Sequence, residues 1–234
     1  MTNSEHTSKQ FDVELEAVRS RVLQMGGLVN GQIKFAVEAL IGGDVTMMDR
    51  IIADDHLVNA LEVEISESCN QLIVCRQPTA GDMRMVMMVI KAITDLERIG
   101  DEAKKIARMA KLLSEKKCFS LPRYKEIKYS AVMVLDMLRK SLDAFANLEL
   151  STVADVVRQD EQVDEEYRSI IRYLITFMME DPRTISTALE ILFVAKAIER
   201  IGDHAKNISE YVVYMVKGRD VRHVTVEEIE REVQ

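Results

Sequence analysis

Tryptophan is absent from the 234 residues, and only 6 Phe, 6 Tyr, 3 Pro and 9 Gly are present. Strand-rich folds draw on aromatic and β-branched residues and on frequent turn punctuation, so this scarcity argues for long helices. Three cysteines, Cys69, Cys75 and Cys118, form neither a CxxC pair nor a metal-finger spacing and read as reduced cytosolic thiols. No run of about 18 apolar residues occurs, and even Ile185 to Ile198 is broken by Glu190 and Lys196. The opening MTNSEHTSKQF lacks the basic-then-apolar layout of a secretion signal. These absences predict a cytoplasmic protein that reaches a membrane only through partners. Positive charge is also short. With 31 Lys and Arg against 39 Asp and Glu, the formal net charge is -8. No basic stripe exists of the density that duplex nucleic acid or anionic lipid requires. Phosphate loops, GxGxxG, HExxH and GxSxG patterns are missing, and His6, His56, His204 and His223 fall into no nucleophile–base arrangement. The chain does not read as an enzyme.

What is abundant is helical periodicity. Val86, Val89, Ile93, Leu96, Gly100, Ala103, Ala107 and Ala110 step by three or four, as one apolar helix stripe requires. Pro78, Pro122 and Pro182 punctuate such segments at their boundaries, where proline is tolerated. The pattern predicts six helices, over 8–41, 45–76, 79–114, 122–148, 152–180 and 183–217, with Gly42-Gly43-Asp44 as the first turn. The acidic tail, 218–234, shows little core pattern and is expected to be loosely held.

The chain is one unit written twice. An offset of 105 residues superposes Asp55 on Asp160, Val58 on Val163, Leu40 on Phe145 and Ile65 on Ile170. The offset then becomes 102, where ERIGD at 97–101 recurs at 199–203. A repeat of this length holding three helices predicts an all-α fold of two tandem three-helix bundles, 8–114 and 122–217.

Inside the repeated motif, Glu97 and Asp101, and likewise Glu199 and Asp203, stand four apart and so share one helix face. Like charges at that spacing destabilise a helix by about 0.2–0.5 kcal/mol, yet the pair occurs at matching places in both repeats. Hard cations take oxygen ligands, so each pair could hold a divalent or trivalent metal. Arg98, Lys104, Lys105, Lys196, Arg200 and Lys206 lie three or four residues away, and ordinary surface salt bridges are the competing reading. Asp55, Glu62, Asp160 and Asp164 could complete the sites, although as residues of long charged helices they fit solvated faces better. Asn59 stands in the place of Asp164. His204 follows Asp203 and could be a ligand, but its counterpart is Glu102. Gly100 and Gly202 sit mid-helix at a cost of about 1 kcal/mol each against alanine, which points to close approach of a neighbouring helix. Met83, Met85, Met87 and Met88 cluster at one helix start and fit core packing better than an adaptable binding surface.

Three segments, RQPTAGDMRMVMMVIKAITDLERIGDEAKKI (76–106), KAIERIGDHAKNISEYVVYMVKG (196–218) and MGGLVNGQ (25–32), resemble the PhoU family of phosphate-transport accessory regulators. The resemblance covers about residues 10–218. It implies two three-helix bundles, often dimeric, and repression of phosphate-starvation responses. It also implies contacts linking the ATPase of a phosphate ABC transporter to a phosphate-sensing histidine kinase. Iron, zinc, magnesium or manganese at the ExxxD motifs would fall on Glu97, Asp101, Glu199 and Asp203. Glu102 in the place of His204 makes coordination at the first repeat less certain. The alternatives are a helical di-metal or metal-storage protein, for which the usual Glu-x-x-His pairs are missing, and a metal-free helical adaptor.

Overall fold

A computed structural model of the chain describes residues 9–116, 124–222 and 224–233. Its elements are α1 (Lys9–Gly42), α2 (Val45–Arg76), α3 (Ala80–Glu115), α4 (Tyr124–Asn147), α5 (Val153–Glu180), α6 (Ile185–Lys217) and α7 (Val226–Val233), with one 3₁₀ turn at Pro182–Thr184. No strand occurs among the described residues. The expected helix starts at Ser8 and Pro122, like Cys118, lie outside the described residues.

Local chemistry sets the boundaries. Asp44 caps α2 by accepting the Met47 N–H at 3.0 Å, satisfying one of the donors that a helix start leaves open. Helix α2 ends at Arg76, where Gln77 takes a left-handed conformation (φ 48°), and Pro78 follows in the linker. Asp82 then reaches back to the Thr79 N–H at 3.3 Å, a capping box that starts α3.

Helices α1, α2 and α3 pack together as one bundle and α4, α5 and α6 as the other. The bundles join mainly through α3 against α6, supported by α1 against α4, so α2 and α5 flank the slab on opposite sides. At 34 residues, α1 is about 50 Å long at 1.5 Å rise per residue. The core is continuous across both bundles, from Phe11 in α1 through Phe145 in α4 to Met215 in α6. Fully buried Met25, Ile33, Ile99 and Phe145 each contribute about 1.5–3 kcal/mol.

The tail departs from expectation. Val221 and Ile229 are buried with Val153, Val157 and Val213 in a second small cluster, and α7 lies on α5. Arg158 pairs with Glu230 and Arg219 with Glu232. Two apolar side chains eight positions apart are too few to register as a core pattern, yet they suffice to seat one short helix.

Glycine marks the tightest helix approach at a place other than the motif. A Cβ on Gly26 would stand 2.6 Å from Leu142 Cδ1, at the α1–α4 crossing. At Gly100 the nearest atoms, Gln32 Oε1 and Val58 Cγ1, would both be 3.4 Å away, and at Gly202 Val134 Cγ1 would also be at 3.4 Å. Neighbouring helices do come close at the motif, but at ordinary contact distance.

Candidate functional site

The two ExxxD pairs occupy equivalent places, each facing the flanking helix of its own bundle. In the first, Glu97 and Asp101 on α3 stand near Asp55 and Glu62 on α2, whose negative charges act on Glu97. Lys104 bridges this group, with Nζ 2.6 Å from Asp55 Oδ2 and 2.9 Å from Asp101 Oδ1. In the second, Glu199 and Asp203 on α6 stand near Asp160 and Asp164 on α5. Lys206, the repeat counterpart of Lys104, donates to Asp160 Oδ2 at 2.5 Å. Asp55 and Asp160 are therefore not on solvated faces. Both are buried, and each accepts from the lysine of its own repeat.

Both clusters carry more negative charge than their lysine neutralises. Burial first, then Asp101, Glu62 and Asp55, raise the Glu97 carboxyl above its ordinary range. Burial, followed by Glu199 and Asp160, pushes Asp203 up to about 6. Each shift is the expected response of a carboxylate removed from water beside like charges. The repeats differ in their second cation. Lys196 donates to Glu199 Oε2 at 2.6 Å and lies 5.2 Å from the centre of the Tyr167 ring. Its counterpart is Thr94, whose hydroxyl donates to the Ile90 carbonyl.

For a hard cation the donor chemistry fits: oxygen donors only, crowded enough to resist ionisation, with a lysine ammonium at the place of positive charge. Among the described residues, no three His, Cys, Asp or Glu side chains already stand close enough to hold a metal. Binding would require Lys104 or Lys206 to release its carboxylates, which would then turn inward.

His204 is not part of either cluster. Its Nδ1 donates to Asp95 Oδ1 at 2.7 Å across the α3–α6 seam, and its Nε2 is buried without a hydrogen-bond partner. Asp95, only 3 % exposed, also accepts the Tyr211 hydroxyl at 2.7 Å. Glu102, the counterpart of His204, likewise turns to the seam and pairs with Arg200 at 2.7 Å and Lys105 at 3.2 Å. Glu102 and His204 both turn to the seam and not to the carboxylate pair of their own repeat. Sequence reasoning overlooked Asp95 altogether. Its counterpart is Ala197, so the repeat gives no signal, and its partners lie more than 100 positions away.

The methionine cluster is split. Met88 is buried and Met85 packs on the core, whereas Met87 is 43 % exposed. Met83, Met87 and Met88 line a surface cavity between α3 and α6.

A family model described as the PhoU domain matches twice, over residues 22–110 and 129–212, so each match contains one ExxxD pair. The chain belongs to the PhoU family. It is 45% identical over 230 residues to a Pseudomonas putida protein described as a phosphate-specific transport system accessory protein PhoU homolog, covering 98% of this chain and 89% of that one. It is 43% identical over 228 residues to the phosphate-specific transport system accessory protein PhoU of Escherichia coli K12, covering 97% and 94% of the two chains. The crystal structure of PhoU from Pseudomonas aeruginosa superposes with a TM-score of 0.86 at 44% identity, over 89% of this chain and all of that one. The phosphate transport system regulatory protein PhoU of Streptococcus pneumoniae gives 0.83 at 30% identity, over 90% and 99%. The PhoU fold of two tandem three-helix bundles therefore holds for this chain.

Proposed function

We propose that this chain is an accessory protein of phosphate-specific transport that represses phosphate uptake and the starvation response. It does so in the cytoplasm, as a homodimer, by linking the ATPase subunit of a phosphate ABC transporter to a phosphate-sensing histidine kinase. The observation that carries this reading is the name shared by relatives 43–45% identical over nearly the whole chain. A slab about 50 Å long with two flanking helices supplies extended faces for partners. No helix among the described residues is long and apolar enough to cross a membrane, which fits action through other proteins. Such a scaffold shifts a kinase only by binding its two states unequally.

The ExxxD clusters are the proposed metal sites of that scaffold. Glu97 and Asp101, with Asp55, would hold one ion, and Glu199 and Asp203, with Asp160, the other. A bound cation supplies charge neutralisation there. Lys104 and Lys206, which hold Asp55, Asp101 and Asp160, would give up those contacts when an ion is held, changing the charge beside α2 or α5.

Deletion of the gene in its host, with a reporter for the starvation response, tests the reading. The expected outcome is a response that stays on in abundant phosphate. Normal repression in the deletion strain would overturn the proposal. Derepression in the deletion but not in an Asp101→Ala/Asp203→Ala strain would remove only the metal from it.

A further inference from the structure

Arg84 and Lys91, two turns apart on α3, face a cavity of about 320 Å³ between α3, the end of α6 and the segment after it. Neither has a carboxylate partner among the described residues. Arg84 Nε is buried with no hydrogen bond, and Lys91 Nζ lies 5.6 Å from the centre of the Tyr211 ring. Leaving a buried guanidinium nitrogen unpartnered costs free energy that a bound ligand or water would recover. The opposite end of the same seam shows the alternative. There Lys116, the counterpart of Gly218, lies 2.6 Å from Ser186 Oγ, the counterpart of Arg84, and 2.6 Å from Glu190 Oε1.

The backbone makes room for Arg84. Gly218 ends α6 in a left-handed conformation (φ +72°), and any Cβ there would collide with Arg84 Nη1. The cavity's acids offset its cations only in part: Asp220 feels the charge of Lys91 but is hydrogen-bonded to Arg222. Asp220 accepts from Arg222 Nε at 2.9 and 3.1 Å and from the Arg222 backbone N–H at 3.1 Å. Glu210 is pushed up to about 7, chiefly by burial, so it carries only part of a charge at neutral pH. The remaining wall is Met83, Met87, Met88, Tyr211 and Tyr214, a thioether and aromatic surface suited to an apolar body.

We infer that this cavity is a binding site for a small organic phosphate, with a dianionic phosphate monoester on Arg84 and Lys91 and its apolar portion against the methionines. Three cations, Arg84, Lys91 and Arg222, against Asp220 and Glu210 leave an excess of positive charge suited to a dianion, and the guanidinium fork suits phosphate oxygens. The volume falls at the small end of ligand cavities, about 300–1,000 Å³, and exceeds what a bare oxyanion fills. Its cations and its methionine wall lie outside the two ExxxD clusters.

Phenyl phosphate, the minimal such ester, tests this by calorimetric titration of the full chain at low ionic strength. Saturable binding is expected, weakened about tenfold or more by Arg84→Met, Lys91→Met or Gly218→Ala. Lys111→Met, which removes a cation elsewhere, should leave it unchanged. Circular dichroism melts check that each variant is folded, and Lys91→Met alone decides if Arg84→Met is not. Lack of saturation, or wild-type affinity in Lys91→Met, would overturn the site. Inorganic phosphate or succinate binding as tightly as phenyl phosphate would overturn the assignment to an organic ester.

Discussion

Glu210→Gln should make the protein more stable at alkaline pH. Glu210 is 4 % exposed, and its carboxyl is raised from an ordinary 4.5 to about 7, because burial outweighs the attraction of Lys206. The charged form is thus the unfavourable one in the fold. In the unfolded chain the proton leaves near the ordinary value. The folded state is then relatively stabilised below about pH 4.5, and that advantage is lost progressively until about pH 7. At roughly 1.4 kcal/mol per pH unit, the ionised carboxylate costs about 3 kcal/mol at pH 8. Glutamine keeps the volume and removes the charge, so the variant should gain most of this at pH 8 and little of it at pH 5. For a chain of this size, about 1 kcal/mol moves Tm by roughly 2–4 °C. Urea unfolding of both proteins at the two pH values, in chelator, reads the difference directly. Equal stabilities at pH 8, or a gap that does not narrow at pH 5, would refute the reasoning.

Asp101→Ala with Asp203→Ala should lower metal content by elemental analysis while leaving the helical signal intact; full metal retention would remove these residues from the sites. Asp95→Asn should lose about 2–4 kcal/mol in denaturant unfolding, because His204 and Tyr211 keep their donors but lose a charged acceptor; an unchanged midpoint would show that the seam network is dispensable. Gly26→Ala should destabilise by about 1–3 kcal/mol through crowding of Leu142. Gly100→Ala should range from near-neutral to a gain of up to about 1 kcal/mol, and equal losses at both glycines would contradict the packing described.

The helices and the duplication could be read in advance because both are written in local spacing. Apolar steps of three and four, proline at boundaries and ERIGD at 97–101 and 199–203 need no tertiary knowledge. The carboxylate clusters could be read in part. Spacing placed Glu97 with Asp101, but whether Asp55 and Asp160 faced water depended on how α2 and α5 rotate against α3 and α6. Asp95 could not be found this way, since its partners come from the other repeat. Arg84 was equally hidden, because its environment depends on Gly218, on the far side of the chain. The tail misled for a related reason: Val221 and Ile229 acquire meaning only against a groove that other helices build.

The seam between α3 and α6 also dictates which halves can mate. If two first repeats faced each other in the same way, Asp95 of one would meet Glu102 of the other, since Glu102 is the counterpart of His204. Two buried carboxylates would then oppose each other, and Asp95 would lose both His204 and Tyr211. If two second repeats did so, His204 would face Ala197 and Tyr211 would lose its acceptor. Only the unlike pairing gives Asp95 both His204 and Tyr211. Gene duplication left the outer acidic clusters nearly interchangeable, while divergence at a few seam positions turned two like modules into a lock and its key. Pairing of like halves through this seam is thereby disfavoured.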